Sequence, residues 1–168
     1  MLKLQMLCGI APPLSHEWEV VEEANLKTKL DYKDNSVDLI YCSHGIGYIP
    51  YELFINEILP EWYRILKPGG ILRLSVINYT KVLTQFQDFT TDILKIWQAV
   101  YNAEAKTAEA IQKVPQPVIY DEGNLKFILN KAKFSKVKKW SASKLQYKDR
   151  SSKKLNGRLI SLNLEGVK

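Results

Sequence analysis

The middle of the chain alternates between apolar and helix-patterned segments. Residues 37–42 are apolar apart from Asp38, which predicts a strand buried on both faces. From Tyr51 to Leu66 apolar residues recur every three or four positions, the period of a helix. Pro60 lies inside this pattern and should kink or divide the helix. The Lys-Pro-Gly-Gly segment at 67–70 predicts its end, and residues 71–77 predict the next strand.

The flanking regions add further elements. Residues 3–7 and Trp18–Val21 read as strands, and the second is followed by two acids, Glu22 and Glu23. Residues 80–112 have the apolar spacing of one or two amphipathic helices, ended by prolines. Asp121 is placed to cap a helix that reaches about Ala132. Residues 136–140 and 158–167 read as strands, and the polar, lysine-rich stretch 141–157 between them is expected to be a flexible loop.

Size and composition limit the class of protein. A chain of 168 residues, 46% hydrophobic and 25% charged, suits one globular domain over 1–168 with residues 80–117 as a helical insertion. No apolar run approaches the ~20 residues that span a bilayer. The short apolar start is expected to be a buried strand rather than a signal peptide. Two cysteines without a C-x-x-C motif favour a reducing, cytoplasmic setting.

The net charge is +6, and the excess is concentrated near the carboxyl terminus. Residues 126–158 contain many lysines and arginines and a single acid, Asp149. Such a stripe could meet phosphate or an acidic partner. A solvated basic surface is the preferred interpretation, because the segment lacks the aromatic stacking platform typical of nucleic-acid binding.

Several segments together resemble one protein family. They are Lys3–Gly9, Trp18–Glu22, the D-N-S-V-D-L-I-Y block within 34–44, the E-W-x-R-x-L-K-P-G-G block within 61–78, Tyr120–Phe134 and Arg158–Val167. The chain resembles small class I S-adenosylmethionine (SAM) dependent methyltransferases of the type-11-like kind over nearly its whole length. The resemblance implies a reduced, Rossmann-like α/β fold with a mostly parallel sheet, finished by an antiparallel hairpin of residues 136–140 and 158–167.

The resemblance also implies a SAM site at the carboxyl ends of the strands, where doubly wound sheets bind ligands. Glu22, or Glu23 beside it, would accept hydrogen bonds from the ribose hydroxyls. The other implied cofactor residues are Leu7, Cys8 and Gly9 in the first turn, Asn25 and Leu26 near adenine, and Cys42, Ser43 and His44 after the third strand. Tyr48, Phe86 and Phe89 would lie on the acceptor side.

The chain departs from the family pattern at the expected cofactor turn. Leu7 and Ala11 stand where the family has glycines, and Asn25 replaces an aspartate. Residues 43–48 lack a glutamate and a second histidine of the family motif. The spacing between the early strands is compressed, so one helix, and also an edge strand, could be missing or vestigial.

Two side-chain roles stay open at this point. His44 could be a general base, since the pKa of an unperturbed imidazole suits proton transfer near neutrality, or a hydrogen-bonded histidine at a strand end. Cys8, Cys42 and His44 make an incomplete metal set, so no metal is predicted and the cysteines are expected to be packing residues.

Three functions fit the sequence. The first is SAM-dependent methyl transfer to a small molecule, such as a sugar or a lipid-linked intermediate. The second is a degenerate methyltransferase fold without activity, acting as a binding module. The third is an RNA methyltransferase that uses the basic stripe.

Overall fold

The structure is a computed structural model that describes residues 1–6, 13–22, 29–85, 118, 120–145, 147, 149–155 and 157–168. Its strands are β1 (Lys3–Met6), β2 (Trp18–Val21), β3 (Val37–Ser43), β4 (Leu66–Ile77), β5 (Ser135–Lys139), β6 (Lys154–Leu155), β7 (Arg158–Leu159) and β8 (Ser161–Val167). Six of them form one sheet in the order β2-β1-β3-β4-β8-β5. Strands β1 to β4 are mutually parallel, and β8 is antiparallel to both β4 and β5. This confirms the predicted mostly parallel sheet and its antiparallel carboxyl-terminal hairpin.

The last predicted strand is divided in the structure. Residues 158–159 pair with β6 in a separate two-stranded ribbon, and β8 begins only at Ser161. Between them Ile160 is fully buried, and its N–H donates to the carbonyl of Lys153 at 3.0 Å. The chain therefore changes its strand-pairing partner at Ile160, from β6 to β4 and β5. The unbroken apolar pattern of the sequence does not reveal this change.

The helices are α1 (Tyr51–Leu53), α2 (Leu59–Ile65), α3 (Tyr79–Leu83) and α4 (Glu122–Lys131), and a π-helical turn, Phe54–Ile58, joins α1 to α2. Pro60 lies in the first turn of α2, directly after the π-helical turn. Proline has no N–H to donate to the preceding turn, so the helical hydrogen bonds are interrupted here. The π-helical turn, which is wider than an α-helical one, lies at this interruption. The expected division at Pro60 is confirmed. None of the helices in the described ranges is long and apolar enough to cross a membrane.

Asp121 caps α4 as predicted. The N–H of Asn124 donates to its carboxylate at 2.8 Å, and the N–H of Asp121 donates back to the Asn124 side chain at 3.1 Å. This reciprocal pair is a capping box, which satisfies two N–H groups at a helix start. The apolar side of α4 then packs against the sheet through Leu125 and Leu129.

The helices α1, α2 and α4 share one face of the sheet with the main core. That core contains Leu4, Met6, Ile40, Cys42, Leu72, Leu74, Leu162 and Leu164 from the strands, with Phe54 and Trp62 from the helices. Burial of these side chains is the principal stabilising term of the fold. Trp62 is fully buried and belongs to this core, as the helical pattern predicts.

The opposite face is covered differently. The step from β1 to β2 runs in the opposite lateral direction from the step from β3 to β4, so right-handed crossovers place the two connections on opposite faces. The β1–β2 connection is only residues 7–17, and its Leu14 packs near Trp18 and Leu39. In the described part of the chain, helical residues reach this second face only at its end, where Val82 of α3 packs with Ile77 and Ile160.

An aromatic cluster lies on the second face, formed by Trp18, Tyr41, Trp140 and Tyr147. Neighbouring ring centroids are 4.9 to 6.0 Å apart. Tyr147 belongs to the stretch 141–157 that was expected to be a flexible loop. That expectation is wrong for its described residues, because Ala142 and Ser151 are buried and Tyr147 packs on the sheet.

Candidate functional site at the carboxyl ends of the strands

The register of the parallel strands brings the predicted site residues to one edge. Met6 is level with Val21 of β2 and with Cys42 of β3. Glu22 follows Val21 directly, and His44 follows the end of β3. This edge, called here the carboxyl edge, therefore carries the carboxylate and the imidazole that the sequence assigned to a shared site.

Glu22 is exposed, and no side chain or N–H of the described ranges donates a hydrogen bond to its carboxylate. Its carboxylate follows the edge strand β2 directly and has no partner among the described residues. It is free to accept hydrogen bonds from ligand hydroxyls, which is the chemistry that the sequence assigned to it.

The structure does not describe every predicted site residue. Leu7, Cys8, Gly9, Glu23, Asn25, Leu26, Phe86 and Phe89 lie outside the described residues, as does most of the predicted helical insertion at 80–117. Their assigned roles stay predictions.

His44 is held tightly at the end of β3. Its backbone is left-handed, with φ of 60°, and its N–H donates to the carbonyl of Ser75 at 2.8 Å. Its Nε2 lies 3.2 Å from the hydroxyls of both Ser75 and Ser161, and the residue is 8% exposed. Of the two roles left open by the sequence, this geometry favours the hydrogen-bonded histidine.

The two serines were missed by sequence reasoning. Ser75 lies in the middle of an apolar strand, and such a buried hydroxyl usually marks a polar partner. Ser161 is 117 positions from His44, and only the pairing of β8 with β4 brings them together. A single sequence gives no sign of that contact.

Cys42 and Ser43 are both part of the carboxyl edge. Cys42 is fully buried in the main core, as expected of a packing residue. The hydroxyl of Ser43 is buried and makes no hydrogen bond with the described part of the chain. Within the ranges that the structure describes, no three histidine, cysteine or acidic side chains are grouped so as to hold a metal ion.

The predicted acceptor side begins just beyond β3. Tyr48 ends a short 3-10 turn, Ile46–Tyr48, and is 38% exposed. The carbonyl of Gly47 accepts the N–H of Val118 at 2.9 Å, which ties this turn to the strand-like segment near Tyr120. Tyr120 is buried, and its hydroxyl has no hydrogen-bond partner in the described structure. Burial raises the pKa of that phenol.

A polar network lies under the aromatic cluster. The Tyr41 hydroxyl donates to Asp149, and the pKa of Tyr41 is raised first by burial and then by this negative charge. Asp149 also accepts the N–H of Ser151 at 2.9 Å, and the Asn163 amide donates to the Ser151 carbonyl at 3.0 Å. These contacts anchor residues 149–153, called here the strap, on the sheet face below His44.

The family-like block E-W-x-R forms a polar network where the chain enters β3, at the amino ends of the strands. Arg64 donates to Glu61 at 2.6 Å and to the carbonyl of Tyr32 at 2.9 Å, and Glu61 accepts the N–H of Leu30 at 2.8 Å. The guanidinium holds the pKa of Glu61 below its usual range. This network fixes residues 30–32, which lead from the region of Glu22 into β3.

A larger opening lies away from the carboxyl edge. A cavity of about 690 Å³ on the second face is lined by apolar side chains of the strands, including Trp18, Leu39 and Ile71, and by paired charges such as Lys67 and Asp38. It lies towards the amino ends of the strands. It therefore does not coincide with the predicted cofactor site at the carboxyl edge.

The fold is that of class I methyltransferases, as solved structures of that kind show. Residues 11–74 match the family model of a methyltransferase domain. A solved SAM-dependent methyltransferase from Archaeoglobus fulgidus superposes on 99% of this chain and 85% of its own, with a TM-score of 0.58 and 14% identity. At that identity the likeness establishes the fold alone.

Two curated relatives are similar in sequence. A protein of Aspergillus luteorubrus named as a probable methyltransferase is 43% identical over 53 residues, which are 32% of this chain and 19% of the relative. The ubiquinone/menaquinone biosynthesis C-methyltransferase of Hydrogenovibrio crunogenus is 33% identical over 117 residues, which are 64% of this chain and 42% of the relative. The chain thus spans less than half the length of either relative.

Proposed function

We propose that this domain binds SAM at the carboxyl edge and transfers its methyl group to a small-molecule acceptor. The observation that carries the proposal is the exposed carboxylate of Glu22, which has no partner among the described residues and lies one residue beyond the level of Met6 and Cys42 at the ends of parallel strands. The name of the Hydrogenovibrio relative, a quinone-biosynthesis enzyme, supports a small-molecule acceptor.

The residues at this edge fit the cofactor. Glu22 would accept hydrogen bonds from the two ribose hydroxyls, and residues 42–44 would line the methionine end. SAM supplies an electrophilic methyl group on a sulfonium. The protein's contribution is to align the acceptor atom with that methyl group and to exclude water, which is a proximity effect. His44 is held too firmly to swing, so it would fix one wall of the pocket.

The RNA reading receives less support from the structure. Lys126 and Lys139 of the basic stripe pair with Glu122 at 2.8 and 2.6 Å, and Lys138 lies 3.5 Å from Glu165. Part of the positive charge is therefore already matched by acids of this chain, which lowers its capacity to bind phosphate.

Calorimetric titration with SAM and with S-adenosylhomocysteine tests the proposal. Glu17→Ala is the matched control, because Glu17 and Glu22 flank opposite ends of the same strand. We expect both ligands to bind the wild type, Glu22→Ala to weaken binding about tenfold or more, and Glu17→Ala to bind as the wild type does.

Other outcomes are equally informative. No binding of either ligand to the wild type would favour a degenerate fold that acts as a binding module. Binding that is unchanged in Glu22→Ala would move the ribose contact to Glu23, which is the neighbouring acid in the sequence.

A further inference from the structure

The hydroxyl of Ser75 has one hydrogen-bonding partner in the described structure, Nε2 of His44 at 3.2 Å. Ser75 is fully buried, so no solvent reaches it. A serine hydroxyl carries one hydrogen that must find an acceptor when it is buried. The protonation of Nε2 therefore decides whether this hydrogen is satisfied.

Ser161 approaches the same nitrogen from β8, also at 3.2 Å. Its oxygen accepts the N–H of Lys153 in the strap at 3.1 Å. Lys153 thus uses a lone pair of the Ser161 oxygen, and the hydroxyl keeps its hydrogen as a donor. The tautomer of His44 therefore depends on the hydrogen of Ser75, and Ser161 lies beside the same nitrogen.

The two protonation states of Nε2 are not equivalent. A protonated Nε2 would be a donor facing two hydroxyls, and the Ser75 hydrogen would be left without an acceptor among the described residues. An unprotonated Nε2 is an acceptor and satisfies that hydrogen. We infer that His44 is a neutral imidazole with its proton on Nδ1, and that Ser75 is a positioning residue that fixes this tautomer.

The consequence for methyl transfer rests on the proposed function. If Nε2 took up a proton, the buried Ser75 hydrogen would lose its acceptor, and Nδ1 already carries a proton. His44 is therefore not the base that deprotonates the acceptor. It belongs to the wall of the site, and the acceptor atom must present its lone pair without giving a proton to this imidazole, as a neutral amine, a thiolate or a stabilised carbanion does.

Long-range ¹H–¹⁵N correlation spectra of the full chain, labelled at histidine, test the tautomer directly. The chain has two histidines, and His16 is exposed, so it serves as an internal control. We expect His44 to give the single-tautomer pattern of Nδ1–H and His16 to give the averaged pattern of an exposed ring. A pattern of Nε2–H for His44 in the wild type, or an averaged one, would overturn the inference whether or not SAM binds.

Two serine variants refine the test. Ser75→Ala should remove the single-tautomer pattern of His44. Ser43→Ala is the matched control, because Ser43 is the register neighbour of Ser75 on β3 and its buried hydroxyl makes no hydrogen bond with His44. An unchanged His44 pattern in a folded Ser75→Ala would remove Ser75 from the positioning role. If that variant does not fold, the wild-type spectrum alone decides the tautomer.

Discussion

At the scale of single residues, two buried tyrosines on opposite faces of the sheet differ in what their hydroxyls contact. Tyr41 donates a hydrogen bond to the half-buried Asp149, the first residue of the strap. Tyr120 packs its ring against Phe54 in the main core, and its hydroxyl contacts no acceptor in the described structure. A buried hydrogen bond to a charged group stabilises a fold, and a buried unpaired hydroxyl destabilises it. The same substitution should therefore act in opposite directions at the two positions.

Tyr41→Phe should lower the free energy of unfolding by about 1–3 kcal/mol, because Asp149 loses a donor. Tyr120→Phe should raise it by about 1 kcal/mol, because a buried polar group without a partner is removed. Each variant is the control of the other, since both delete one phenolic oxygen. Urea denaturation measures both values, and changes of the same sign would show that the hydroxyl environments are misassigned.

Single residues also mark the limit of what the sequence could predict at the site. Glu22 is predictable, because an acid that follows an apolar strand must emerge at the carboxyl edge. The environment of His44 is not, because it depends on a hydroxyl from the antiparallel strand β8. Which hydroxyl lies beside the imidazole is set by the β4–β8 register, and one sequence does not contain that register.

At the scale of elements, the start of β4, just after α2, contains a left-handed glycine. Gly69 has φ of 80°, and its N–H donates to the carbonyl of Lys168 at 2.8 Å. No atom lies within 4 Å of the place where its Cβ would be, so backbone conformation and not space requires glycine here. The Lys-Pro-Gly-Gly segment predicted this left-handed conformation.

Gly69→Val should lower stability by about 1–2 kcal/mol, because a branched residue is strained in the left-handed region. Gly69→Asn is the control, and it should retain most of the stability because asparagine tolerates that conformation. The melting temperatures of the two variants give the comparison. A valine variant that melts with the wild type would contradict the assigned backbone.

The link between Glu61 and Arg64 should make stability depend on pH. The arginine lowers the pKa of the folded Glu61 carboxyl below its ordinary value of 4.5, so the unfolded chain takes up this proton first as the pH falls. The contribution is complete above pH 4.5 and is lost as the pH falls through the folded pKa.

Glu61→Gln provides the measurement, because the amide keeps an oxygen for the N–H of Leu30 and loses the charge. The free energy of unfolding of the wild type should exceed that of the variant near neutral pH, and the difference should shrink as the pH falls below 4.5. A difference that stays constant with pH would show that the ion pair contributes nothing.

The strands and helices were largely predictable, and the exceptions have physical causes. The helical period from Tyr51 to Leu66 located the helix, and Pro60 located its interruption. The π-helical form of the interruption depends on how the backbone hydrogen bonds rearrange, which the pattern does not encode. The polar composition of the stretch 141–157 predicted a flexible loop. In the structure, Tyr147 packs against Tyr41 and Asp149 accepts a hydrogen bond from the Tyr41 hydroxyl, both on the second face of the sheet.

At the scale of the whole molecule, the two faces of the sheet are covered differently. The longer β3–β4 connection supplies α1 and α2 to one face, and an aromatic cluster and the strap lie on the other. The expected loss of a helix and an edge strand concerns connections that include residues 7–12 and 23–28, which lie outside the described residues, so it stays a prediction. The carboxyl edge is independent of that loss, because it is built by the strands themselves.

The central claim is that this edge is a SAM site, and a crystal structure of the chain with S-adenosylhomocysteine tests it most directly. We expect ligand density across the ends of β1 and β3, with both ribose hydroxyls within hydrogen-bonding distance of Glu22. A hollow filled by the protein's own side chains, Leu7 foremost, with no ligand density would contradict the claim and leave only the architecture.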